Sequence, residues 1–379
     1  MPFLSVVGTD ASMVMDGSAL DIDIGRIYPS TQEETMRIEG VAASSGFTIG
    51  AGFCLALGAL FSGELQGQAA PPANPPAEWS AVSINMEDVP YPHPVQFLDL
   101  TLYGQSVRMA YMDVVPTGSP NGRTVVLLHG ASYFALYWAD TMEALREAGF
   151  RVVAVDLLGW GRSSKPIMPY SLHMHAANVR QLLATLDVPR AAVVGHSMGG
   201  MVASRFAFMY PDVTTHLGMV NPIGLTDTRA GRGWQEPSMG GGLVNLQEVY
   251  ERNVRLERNR VVEWKPEFLE FVRIRYGWTM SSEWPRLEAV QALNNNARSI
   301  DTIVHDWPHI TARATVFAGE EDGPNYPDLA RNAAAAMQNG EVVLFPDVGH
   351  NPHLEAPELF QPALIRFLES DPVTGGAGT

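Results

Sequence analysis

A single cysteine, Cys54, stands in 379 residues, which excludes a disulfide framework and any cysteine-based zinc cage. Charge is also scarce, at 17% of residues against the usual ~25%. Bases are the scarcer sign: 25 Lys and Arg face 41 Asp and Glu, for a net charge of −16. No surplus of cations is available to neutralise phosphates, which argues against nucleic acid as a partner. A complete dinucleotide fingerprint is missing too. Gly159-Trp160-Gly161 lacks the final glycine and follows the wrong strand. What the chain has is an apolar content of 46%, enough to exclude disorder or coiled coil for its bulk. Length alone would suggest two or three domains at ~150 residues each.

Charge is unevenly spread. Residues 1–80 hold 9 acids and 2 bases, and residues 225–305 hold 11 of each together with Trp234, Trp264, Trp278 and Trp284. That neutral, charge-dense, tryptophan-rich block reads as a separate structural unit. Residues 40–63 carry no charge and are followed by the proline- and alanine-rich stretch 64–79, which reads as a linker. An apolar core, small residues and then the main chain is the order of a secretory signal peptide, here over about residues 36–70. The acidic segment 1–35 is unlike such a signal, which is consistent with translation from Met36. An uncleaved membrane anchor at 40–63, in transient contact with a membrane, is the alternative, and a tail is the third. On the first reading the protein is periplasmic or secreted, and Cys54 leaves with the signal.

Beyond residue 91 the pattern alternates. VQFLDLTLY and SVRMAYMDV flank Gly104-Gln105 as a hairpin. Apolar runs at 124–129, 151–156, 191–196, 216–221, 314–319 and 341–345 then alternate with helical patterns near 139–148, 172–186, 198–210, 327–338 and 357–369. Continuous apolar strands between helices mean a mostly parallel sheet covered on both faces. Residues 225–305 break the rhythm and read as a helical lid. The expected organisation is a tail (1–80), a core (81–224 and 306–379) and an inserted cap (225–305).

Chemistry concentrates at Gly195-His196-Ser197-Met198-Gly199, between a strand and a helix. A sharp turn there strains the serine backbone, so positions two away on either side must lack side chains. A serine needs a base, and the base an orienting acid. In the chain order that accompanies such an elbow, Asp322 and His350 follow the last two strands. All three then lie at carboxyl ends of strands. The strand before Asp322's ends at Asn221, which cannot carry the charge an acid needs.

These residues resemble the α/β-hydrolase superfamily over roughly 95–370. His129-Gly130 with Trp138, Asp156 through Ser163, and Gly349-His350 with Glu355 and Pro357 match its recurrent patterns. The resemblance implies Ser197 as nucleophile, His350 as base and Asp322 as the acid orienting it. It also implies an oxyanion hole from the backbone N–H groups of Ala131 and Met198, in a loop shaped by His129 and Gly130. Serine at the elbow argues against dehalogenases and epoxide hydrolases, which use a carboxylate there. The expected reaction is hydrolysis of a small-molecule ester. Carbon–carbon bond hydrolysis, cofactor-free peroxidation and a non-catalytic receptor remain as alternatives. Trp138, Trp234, Trp264 and Trp278 are candidate substrate-lining residues. No cofactor or metal is expected: His173 and His175, two apart on a helix, point to different faces and lack a carboxylate cluster.

Overall fold

The computed structural model describes residues 70–227, 229 and 245–373. Segment 40–63, read as signal or anchor, and Trp234 lie outside them. Among the described residues no helix is long and apolar enough to cross a membrane.

Eight strands form one sheet. They are β1 (Gln96–Leu102), β2 (Gln105–Val114), β3 (Thr124–Leu128), β4 (Arg151–Val155), β5 (Ala191–His196), β6 (Thr214–Val220), β7 (Arg313–Gly319) and β8 (Gly340–Phe345), in the order β1-β2-β4-β3-β5-β6-β7-β8. β2 pairs antiparallel with β1 and β4, and all other pairs are parallel. The β1–β2 turn falls on Tyr103-Gly104, one residue earlier than the sequence reading placed it. Both residues have positive φ (50° and 74°), as a two-residue hairpin turn requires.

Alternation along each strand splits the core into two layers. Val126, Leu128, Val153, Val193 and Val316 face α2 (Leu172–Thr185), α3 (Met198–Met209) and α7 (Tyr326–Ala336). Val125, Leu127, Val152, Val194 and Phe317 face α1 (Ala139–Glu147) and α9 (Pro357–Glu369). Both faces are apolar, so the central strands read as unbroken apolar runs.

Between β6 and β7 lie α4 (Leu246–Arg258), α5 (Leu269–Met280) and α6 (Trp284–Ile300), with no strand among the described residues. Asn245 caps α4 by accepting from the N–H groups of Gln247 and Glu248. The short helix α8 (Pro352–Glu355) follows β8.

The proline- and alanine-rich segment does not behave as a free linker where it is described. Pro72 O accepts the Tyr250 hydroxyl at 2.6 Å, and Trp79 packs edge-on against Tyr250. Val82, Ile84, Met86 and Val89 are buried with Phe134, Ile274 and Trp278. The strap therefore closes apolar surface on the cap helices that three short helices alone would leave open.

Candidate active site

The turn between β5 and α3 puts Ser197 at φ 54°, ψ −117°, a sparsely populated conformation costing roughly 1–3 kcal/mol. The flanking glycines explain how it is tolerated. A Cβ on Gly195 would run into Gly199 O, and one on Gly199 would run into Leu128 O. Ser197 N–H donates to Val220 O at 2.9 Å, tying the elbow to the end of β6. Ser197 is buried and stands at the N-terminus of α3, where exposed backbone N–H groups favour negative charge.

His350 and Asp322 come together from the ends of β8 and β7. His350 Nδ1 donates to Asp322 Oδ2 at 2.7 Å, which holds the ring by that nitrogen and leaves Nε2 outside the bond. The neighbouring acids contribute backbone only: Glu320 N–H bonds Phe345 O and Glu321 N–H bonds Val348 O.

The sequence reading counted Asn221 only as a position unable to hold charge. Its Nδ2 donates to Asp322 Oδ2 at 2.9 Å and to Gly349 O at 3.2 Å, while its Oδ1 accepts from Gly319 N–H at 3.0 Å. One amide thus joins the acid, the histidine loop and the end of β7.

Gly130, beside the expected oxyanion donor Ala131, is held from both sides. His129 Nδ1 donates to Gly130 O at 2.8 Å, and Gly130 N–H donates to the Tyr137 hydroxyl at 2.8 Å. Tyr137 also bonds His196 Nδ1 at 2.9 Å, and His196 Nε2 bonds His350 O at 2.8 Å. Neither Tyr137 nor this role of His196 was visible in the sequence.

The cap is hydrogen-bonded to the loop of His350 and to the loop of Ser132 and Tyr133. Arg260 O accepts His350 N–H at 2.7 Å, and Glu355 accepts from Gly349, Asn351 and Val262. On the other side, Tyr133 donates to Glu257 Oε2 at 2.8 Å, and Glu257 forms a buried ion pair with Arg275. Burial, then the Glu257 charge, pushes the Tyr133 hydroxyl up to about 12. Arg275 Nη1 also reaches Ser132 O at 3.4 Å. Removing Glu257 leaves Arg275 buried without its counter-ion, a change that costs about 3–5 kcal/mol. Glu257→Ala is expected to lower unfolding free energy by that amount in a urea titration. A loss below about 1 kcal/mol would contradict the pair's role.

The three described tryptophans among the expected substrate-lining residues pack against neighbouring rings. Trp138 is fully buried against His353 and Phe360, Trp264 packs edge-on to Phe268, and Trp278 packs on Phe134. Their rings bury too much apolar area for open loops to spare. His173 and His175 do point apart: His173 meets Arg205, and His175 meets Asn294.

Five buried histidines, His129, His175, His196, His216 and His353, have pKa values lowered chiefly by burial, to about 4 for His175 and His216. Below about pH 6.5 the unfolded chain binds more protons than the folded one. Stability is therefore full above that pH and falls as acid is added, until the folded-state values are reached. Each such ring contributes up to about 1.4 kcal/mol per pH unit. Urea midpoints are expected to drop between pH 7 and pH 5; equal midpoints would contradict this.

The alpha/beta hydrolase family model matches residues 125–362. A probable hydrolytic enzyme from Pseudomonas aeruginosa PAO1 superposes with a TM-score of 0.68 at 33% identity, covering 77% of this chain and 99% of that one. A 2-hydroxy-6-oxononadienedioate/2-hydroxy-6-oxononatrienedioate hydrolase of Paraburkholderia phymatum is 30% identical over 70% of this chain and 92% of its own length. An uncharacterized protein of Mycobacterium tuberculosis is 36% identical over 135 residues, 36% of this chain and only 37% of that relative's length. With the eight-stranded sheet and the strained serine elbow already described, the match places this chain in the alpha/beta hydrolase family.

Proposed function

We propose that this protein is a serine hydrolase that cleaves carboxylic esters of small or medium apolar molecules through an acyl-enzyme. The observation that carries this reading is the His350–Asp322 hydrogen bond of 2.7 Å on the strand-end edge that also holds strained Ser197. Ser197 Oγ attacks the carbonyl carbon while His350 Nε2 takes its proton. Backbone N–H groups of Ala131 and Met198 receive the negative charge on the carbonyl oxygen. The protonated His350, balanced by Asp322, gives the proton to the departing alkoxide. Water then attacks the acyl-serine by the same proton route and releases the acid.

Carbon–carbon bond hydrolysis is the second reading, favoured by the relative that acts on a dioate. Such a substrate brings carboxylates that need cations. Here Arg275, beside the oxyanion loop, shares the single carboxylate of Glu257 with Arg260 at 3.8 Å, so the charge in the cap does not separate the two readings and the substrate test must. Peroxidation and a receptor without activity have no observation in their favour. The test is a series of p-nitrophenyl esters of increasing acyl length run beside a diketone substrate. Ester cleavage is expected to be the faster; turnover of the diketone alone would move the reaction to carbon–carbon bonds. On the same footing, we read about residues 36–70, with their uncharged stretch 40–63, as an export signal that places the enzyme outside the cytoplasm.

A further inference from the structure

We propose that His196 and Tyr137 are positioning residues that lock the oxyanion loop and the His350 loop to the serine elbow through one directed hydrogen-bond chain. This rests on the hydrolase reading above and deepens it.

The direction of the chain follows from its ends. His350 O can only accept, so His196 Nε2, at 2.8 Å, must carry a proton and donate. A neutral ring then has a bare Nδ1, which must accept from the Tyr137 hydroxyl at 2.9 Å. The tyrosine oxygen in turn accepts Gly130 N–H at 2.8 Å. Every donor meets an acceptor, from Gly130 through Tyr137 and His196 to His350. A protonated His196 would turn Nδ1–H against the tyrosine O–H and break the chain. The site disfavours that form by burial and by the neighbouring His350 and His353 rings, whose centroids both lie 4.8 Å away.

Each end of the chain fixes backbone next to a reacting group. Gly130 precedes Ala131, so holding the Gly130 amide sets the orientation of the following peptide. The loop also presses on the ring: a Cβ at Gly130 would stand 2.9 Å from His196 Nδ1 and 3.1 Å from Ser197 Cβ. At the other end, the His350 carbonyl sets the direction from which its imidazole approaches the serine. His196 itself is covalently next to Ser197. One residue thus ties nucleophile, base and oxyanion donor into a single register, and misplacement by an ångström at such a site costs up to about 100-fold in rate.

The experiment combines two readouts. In 15N-histidine-labelled wild-type protein, nuclear magnetic resonance is expected to show His196 as the neutral Nε2–H tautomer across pH 6–8, its signals assigned by their loss in His196→Gln. A Nδ1–H form, a tautomer mixture or a charged ring would overturn the proposal, whatever the variants do. In kinetics with a p-nitrophenyl ester, Tyr137→Phe and His196→Gln are each expected to lower kcat about 10- to 100-fold with KM within threefold. The double variant is expected to be no slower than the worse single one, because both break the same chain. Unchanged kcat in folded single variants, or losses that multiply in the double variant, would overturn it. Wild-type protein that neither turns over esters nor reacts with a fluorophosphonate would sink the hydrolase reading instead, and the tautomer measurement would still stand apart from it.

Discussion

Ser197→Ala is expected to lower ester turnover by about 10⁶-fold, leaving only the residual rate that binding and the oxyanion hole supply. The size follows from the geometry. The hydroxyl is held at φ 54°, at the head of α3, two residues from glycines that close contacts forbid to be anything else. The variant is also expected to fold. Alanine removes one oxygen from a side chain whose backbone is fixed by its bond to Val220 O. Its loss therefore reports on chemistry, and kcat measured beside an unchanged thermal midpoint checks it. Turnover within tenfold of wild type would move the nucleophile elsewhere.

Asp322→Asn is expected to cost about 10⁴-fold. In the native site Asp322 Oδ2 takes two donors, His350 Nδ1 and Asn221 Nδ2. The Asn221 amide cannot rotate to compensate, because its own oxygen is held by Gly319 N–H. A neutral amide at 322 could still accept both hydrogen bonds, yet it would leave the imidazolium formed during attack without a counter-charge. The loss is therefore expected in kcat rather than in KM, with the substrate-binding surfaces untouched. Steady-state kinetics on a p-nitrophenyl ester checks this. Activity retained within tenfold would transfer the acid role to Glu320 or Glu321, against their backbone-only part in the loop.

How much of this was legible beforehand depended on the range of the interaction. The strands at 124–128 and 191–196 announce themselves because both faces of a parallel strand are buried, so each is an unbroken apolar run. The elbow was legible because a strained turn demands small residues at fixed spacing. His350 and Asp322, read from strand order and the family resemblance, meet in one hydrogen bond.

Tyr137, His196 and Asn221 were not legible in the same way. Their partners lie 59, 154 and 101 residues away, and no local spacing records such pairs. Tyr137 carries the composition of an ordinary core aromatic. In the cap, Trp264 and Trp278 complete small apolar clusters that the helices and the strap share. The strap has the proline and alanine that linkers contain, yet residue 72 binds through its carbonyl and Trp79 through its ring, contacts that composition does not record.

These elements give the cap a definite mechanical relation to the chemistry. Glu257 and Arg275 hold the loop of Ser132 and Tyr133, the Arg260 carbonyl holds the loop of His350, and the cap's Val262 N–H binds Glu355 of the core beside it. The cap therefore grips both sides of the site rather than merely covering it.

The central claim, that Ser197 is the nucleophile of an acyl-enzyme, is tested most directly by intact-protein mass spectrometry after treatment with a fluorophosphonate. One covalent adduct per chain is expected, located on the peptide bearing Ser197, and none on Ser197→Ala. An unmodified wild-type chain, or an adduct that persists in Ser197→Ala, would contradict it.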